Sequence, residues 1–184
     1  MTKSNCPTTV SFTPTGRLDE MQQRLQGLIQ AVTIVSPPLS KFYDSLSDEQ
    51  KARFNELGVT QGSQGGRRGQ ASNPPNLQAE CGASVKAWPG EQIDRLVQPT
   101  DAQRPKLEAL QSAAADAANT VKAACPSEVP GTPPARLEAV GTRLQAMLQA
   151  VQTIRPALAD FYNSLSDDQK ARFNTMGRQL FAAR

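Results

Sequence analysis

An internal duplication constrains this 184-residue chain more than any other feature. Displaced by 119 positions, residues 6–58 align with 125–177 without a gap, and 28 of the 53 pairs are identical, which marks a repeated structural unit rather than chance similarity. The densest match sets Phe42 to Asn55 against Phe161 to Asn174. Between the copies, Gly58 to Asn76 carries five Gly, two Pro and almost no apolar residue, the composition of a flexible linker. Its Arg67-Arg68 pair suits an RNA or acidic surface, but without interleaved aromatics it reads as linker. From Leu77 to Cys125 the chain has no counterpart ahead of the first copy. The expected organisation is therefore a rear half-unit at 1–58, a linker at 59–76 and a complete unit at 77–184. On that reading the front half of the first unit belonged to a longer protein or was lost.

The repeats carry a helical period. In the first, Leu18, Met21, Leu25, Leu28, Val32, Val35, Leu39, Phe42 and Leu46 follow in steps of three and four. In the second, Leu137, Val140, Leu144, Met147, Val151, Ile154, Leu158, Phe161 and Leu165 do the same. Such steps put one apolar stripe on a helix roughly 45 Å long at about 1.5 Å per residue. Pro37 and Pro156 fall inside the stripes without shifting their phase, so the expectation is a kink in one helix, with a break at Ser36 as the alternative. A third stripe, Leu107, Leu110, Ala114, Ala117, Val121 and Ala124, is narrow and Ala-rich, and 77–88 and 91–98 read as shorter helices. No stretch alternates with period two. The fold class is all-α: long amphipathic, kinked helices in hairpins or a bundle. Stripes of this length require partner helices, in cis or across a dimer.

The short motifs read first as helix caps. Thr13 and Thr132 each precede a proline suited to the first helical position. Leu46-Ser47-x-x-Gln50 and Leu165-Ser166-x-x-Gln169 have the form of a capping box, in which Ser accepts the N3 amide and Gln accepts the N-cap amide. The acids between them suit the positive end of the helix dipole. Thr100-x-x-Gln103 has the same form, with Pro105 close behind. If the Gln only accepts, Glu should replace Gln169 well.

Composition narrows the chemistry. The chain has no histidine, which removes Ser-His-Asp and Cys-His nucleophilic catalysis and HExxH zinc sites. A net charge of +3 does not by itself imply a nucleic-acid partner. No run of 18 apolar residues exists for a membrane span, and the start lacks the apolar region of a signal peptide. The chain is then cytoplasmic, or its addressing segment lies outside these residues. Gly62 to Gly69 lacks the Lys-Ser/Thr of a phosphate loop, and the paired acids Asp48-Glu49 and Asp167-Asp168 point apart on a helix. Neither an enzyme nor a cofactor is expected.

The twice-repeated Leu-Ser-x-x-Gln, with the third Pro-Thr-x-x-Gln, resembles the LTXXQ-motif family of Spy- and CpxP-like periplasmic proteins. Over 77–184 the ordered run through Trp88-Pro89, Val97-Gln98-Pro99-Thr100, Cys125-Pro126 and Phe161 to Asn174 resembles an α-proteobacterial, Cys-containing group within it. Ser stands for the family's Thr at Ser47 and Ser166, which keeps the capping function. The resemblance implies a helical cradle, often a homodimer, that holds unfolded protein clients without ATP. A regulatory module docking one specific partner, such as a sensor protein, is the other function it implies. It also implies the periplasm, where Cys81 and Cys125 read as a disulfide worth roughly 4 kcal/mol for a loop of about 45 residues. The alternative is two buried free thiols. Cys6, equivalent to Cys125 through the repeat, is then the odd thiol. Metal sites in such proteins lean on histidines, so none is expected. Lys51, Arg53 and Phe54, with Lys170, Arg172 and Phe173, mix basic and apolar character suited to weak capture of clients. The competing reading makes the charges solvated and the phenylalanines core.

Overall fold

A computed structural model describes residues 13–61, 89–128 and 130–182. Six α-helices lie within them and no strand: α1 (Pro14–Asp44), α2 (Asp48–Gln61), α3 (Gly90–Val97), α4 (Arg104–Ala123), α5 (Pro133–Ser164) and α6 (Asp167–Ala182). The expected helix at 77–88 lies outside the described residues, as does most of the linker. The second helix runs to Gln61, a few residues past the boundary expected at 58.

The two long helices begin as the sequence requires. Thr13 is extended at the N-cap and its Oγ1 accepts the Gly16 amide at 3.2 Å, while Thr132 Oγ1 accepts the Ala135 amide at 3.3 Å. Each helix then continues through its prolines: α1 is one helix across Pro37 and Pro38, and α5 one across Pro156. The break considered at Ser36 does not occur. Ser36 instead turns its hydroxyl back to the Val32 carbonyl at 2.8 Å, a bond that leaves the helix intact.

These equivalent helices pack antiparallel. Asp19 near the start of α1 pairs with Arg155 in the second half of α5 at 2.8 Å, and Val32 meets Gly141 near the start of α5. A Cβ on Gly141 would lie 3.1 Å from Val32 Cγ1, so the glycine sets how closely the helices approach. Antiparallel pairing of two copies creates a local pseudo-two-fold axis near the middle of each helix. Under it Gln22, the counterpart of Gly141, falls opposite Val151. There the Gln22 Oε1 is buried without a hydrogen-bond partner. Arg136 closes the other end, donating to the Asn55 carbonyl on α2 at 2.6 Å and to the Gly131 carbonyl at 3.1 Å.

At the C-terminal end of α5 the core assembles. Ile93 and Val97 of α3, Leu107 and Leu110 of α4, Leu158 and Phe161 of α5, Leu165, and Phe173 and Met176 of α6 are buried together. Leu18 of α1 packs against this cluster, so the first copy is joined to the complete unit through apolar contact as well as through the α1–α5 seam. Two substitutions at the seam follow. Gln22→Met removes an orphaned buried acceptor and should raise stability by about 1 kcal/mol. Gly141→Val drives two methyl groups into Val32 and should lower it by about 1–3 kcal/mol. Urea midpoints by circular dichroism at equal slope check both.

Candidate functional site

The Ser-x-x-Gln turns form the same local structure in both copies. Ser47 N–H donates to Gln50 Oε1 at 2.9 Å, and Gln50 N–H donates to Ser47 Oγ at 3.3 Å. Ser166 and Gln169 repeat these bonds at 2.9 and 3.3 Å. Asp48-Glu49 and Asp167-Asp168 occupy the exposed first turns of α2 and α6, beside the unsatisfied amides of the helix start. The third motif is different. Gln103 Oε1 accepts the Thr100 amide at 2.9 Å, but the Thr100 carbonyl, not its hydroxyl, receives the Gln103 and Arg104 amides. The α4 helix starts only at Arg104, with Gln103 as N-cap. Pro105 explains the shift: lacking an N–H, it suits the first turn and draws the helix start to itself. The full capping box expected at Thr100 is therefore half a box.

The glutamines also reach one another. Gln103 and Gln169 face amide to amide, each Nε2 donating to the other's Oε1 at 3.0 Å. The remaining hydrogen of Gln103 Nε2 goes to the Ser164 carbonyl at 2.7 Å. That of Gln169 Nε2 is shared between the Val97 and Gln98 carbonyls at 3.3 and 3.2 Å. Ser164 and Gln98 each stand five residues ahead of a motif glutamine, so the clasp has two-fold pseudo-symmetry. Gln98, at φ 52°, is the left-handed residue that ends α3. Gln103 is only 8 % exposed, yet both hydrogens and the carbonyl oxygen of its amide are engaged.

This geometry corrects the expectation that Glu would serve at Gln169. The side chain is a donor as well as an acceptor, and a carboxylate would face the carbonyls of Val97 and Gln98 without hydrogens to offer. Gln169→Glu should cost about 3 kcal/mol, more than the loss of about 1 kcal/mol for Ser166→Ala, because it leaves buried acceptors opposed. Denaturation midpoints of the two variants, ranked in that order, check the assignment.

The basic and aromatic residues near the motifs divide unevenly. Lys51 Nζ lies 5.7 Å from the Tyr43 ring centre and Lys170 Nζ 5.8 Å from that of Tyr162, and Arg53 and Arg172 are exposed. Phe54 is half-buried against Phe42 and Tyr43. Phe173 is different: it is buried in the core against Phe161 and Tyr162, which removes it from any client-facing surface. Sequence reasoning missed the Tyr–Asn links, Tyr43 Oη to Asn55 Oδ1 at 3.0 Å and Tyr162 Oη to Asn174 Oδ1 at 3.3 Å, although identical Phe-Tyr and Phe-Asn pairs in both copies signalled them.

It also missed an exposed apolar row. Met21, Leu28, Val35 and Phe42, seven residues apart on α1, are all exposed, with Ile34 beside them. The α5 counterpart of Phe42 is Phe161, and the contrast is 52 % against 0 % exposure. Cys125 follows the end of α4, half-buried, with Sγ 3.6 Å from the Val121 carbonyl oxygen. Cys81 and Cys6 lie outside the described residues. Among the described residues no three His, Cys, Asp or Glu side chains gather as a metal site, and no helix is long and apolar enough to cross a membrane.

The defining feature of this all-helical protein is a pair of Ser-x-x-Gln turns, one at each helix–turn–helix corner. The model of the LTXXQ motif family protein matches residues 1–58 and 85–177, most of the chain, and the chain belongs to that family. Searches of curated proteins and of solved structures returned no match.

Proposed function

We propose that this protein is an ATP-independent, chaperone-like binding protein of the periplasm that holds unfolded or aggregating clients. The observation that carries the reading is the open row Met21, Leu28 and Val35 on α1, apolar side chains left in water along a helix otherwise rich in charge and amide. These side chains are 41–49 % exposed, so leaving them open forgoes about 1 kcal/mol of burial each, a loss that a binding surface recovers when occupied. Family membership supports the same reading, as do Arg24 and Lys41 exposed on the same helix, which suit weak capture of chains with acidic segments.

Light scattering with two unrelated aggregating clients, without nucleotide, tests the proposal. The 184-residue chain should suppress aggregation of both, and the paired change Met21→Glu with Leu28→Glu should weaken suppression at least about fivefold, equivalent to roughly 1 kcal/mol of binding, at unchanged helicity. Saturable binding to one partner with no suppression of either client would instead identify a regulatory docking module.

In an oxidising compartment Cys125 pairs with Cys81, in keeping with the Cys-containing branch of the family that 77–184 resembles. Non-reducing peptide mapping should join these two residues. A link from Cys6 to either would overturn the pairing.

A further inference from the structure

The α5–α6 corner receives the α3–α4 segment, and the α1–α2 corner presents the same receiving surface left open. Position by position the two hold matching side chains: Leu39 and Phe42 for Leu158 and Phe161, Leu46 for Leu165, Gln50 for Gln169, and Phe54 for Phe173. Where α4 packs along α5 and α3 against α6, these apolar residues are buried, Phe161 fully. On the open corner Phe42 is 52 % exposed, and Leu39, Leu46 and Phe54 are half-buried. Gln50 makes the same bonds to Ser47 as Gln169 makes to Ser166. Yet Gln50 is exposed, and its Nε2 has no hydrogen-bond partner among the described residues.

We propose that the α1–α2 corner is a docking site for an α3–α4-type segment carried by a separate polypeptide: a short amphipathic helix, a Pro-Thr-x-x-Gln turn and an Ala-rich helix. The occupied corner specifies what the visiting segment carries. Its turn glutamine faces Gln50 amide to amide, as Gln103 faces Gln169. Gln50 Nε2 then donates to the carbonyls that end the visitor's first helix, in the place of Val97 and Gln98. The visitor's glutamine donates in turn to the Ser45 carbonyl, the counterpart of the Ser164 carbonyl. Apolar side chains ten and six residues before that glutamine, and four and seven after it, cover Phe42 and Phe54 as Ile93, Val97, Leu107 and Leu110 cover the second copy. The amide pair selects the visitor, because Glu or Leu at its turn position leaves a covered Gln50 with unmet groups.

The chain's own segment does not fill this role. Moved onto Phe42, within one chain or between copies, it would uncover the fully buried Phe161 and only relocate the open face. One segment serves two equivalent corners, so the second corner is filled only by a segment from a polypeptide that does not already use it. The inference does not rest on client binding, since Met21 and Leu28 lie toward the other end of α1 from Gln50.

A labelled peptide of residues 89–124, which carries the whole segment and no cysteine, is the probe, titrated with the full chain and followed by fluorescence anisotropy. It should bind one to one and saturably, with a Kd below about 100 µM. Gln50→Glu in the chain keeps the acceptor its own turn needs but removes the donor, and should weaken binding at least about tenfold at unchanged helicity. Phe42→Asp should do the same through the apolar contact, and so should Gln103→Glu in the peptide. A photoreactive group in place of Ala114 of the peptide should label α1 or α2. No binding up to about 1 mM would overturn the proposal. So would binding indifferent to both chain substitutions, or label on α5 or α6, which marks displacement of the chain's own segment. A chain that binds the peptide and suppresses the aggregation of neither client keeps this site and sinks the client reading, and suppression without peptide binding does the reverse.

Discussion

The amide pair of Gln103 and Gln169 is the interaction on which the complete unit depends. Each glutamine first serves its own turn, accepting a backbone amide three residues back. It then uses the other edge of the same amide to hold a turn 66 residues away. A buried amide with an unmet donor or acceptor costs about 1–3 kcal/mol, so a half-formed clasp is worse than none and a complete one selects a single arrangement of α3 and α4 against α5 and α6. That arrangement puts Ile93, Val97, Leu107 and Leu110 over Phe161 and closes the core. The polar contact fixes geometry and the apolar burial behind it supplies most of the stability.

The first copy shows what the hairpin does without that cover. Its internal contacts are nearly those of the second: the Phe42–Phe54 rings meet edge-on at 5.7 Å and 84°, the Phe161–Phe173 rings at 5.8 Å and 79°. The lysine–tyrosine and tyrosine–asparagine contacts recur as well. The helix–turn–helix corner is therefore set locally by residues within about a dozen positions of each other, and the exposure of its apolar face is set by whether a second motif lies against it. One sequence element thus serves as a closed core at one end of α5 and as an open surface at the end of α1. The closed copy has no apolar group left exposed at its motif, whereas Phe42 of the open copy is half in water.

The antiparallel seam between α1 and α5 gives the open copy its footing. Gly141 allows the close approach to Val32, Asp19–Arg155 fixes the register, and Leu18 reaches into the core of the complete unit. A helix of 31 residues held along one side keeps its other side rigid and available, which lowers the conformational cost of binding there.

The sequence by itself determined what depends on near neighbours. The three-and-four spacing of apolar residues required long helices, Thr13 and Thr132 beside proline marked their starts, and Ser-x-x-Gln set the two sharp corners, because each of these bonds closes within four residues. The duplication, through the same local bonds, made the two hairpins alike. Tertiary structure alone decided what involved distant partners. Identical Phe-Tyr and Phe-Asn pairs could not reveal that Phe161 is covered and Phe42 is open, nor that Phe173 is core rather than surface, because α3 and α4 supply the cover from 50 or more residues away. The donor half of Gln169 was invisible for the same reason: a capping box needs only the acceptor, and the second edge of the amide acquires its purpose when Val97, Gln98 and Gln103 fold onto it. Pro105 moved the start of α4 by the rigidity of one ring, a local effect whose strength relative to the Thr100 cap was settled by how that turn packs against Ser164 and Gln169.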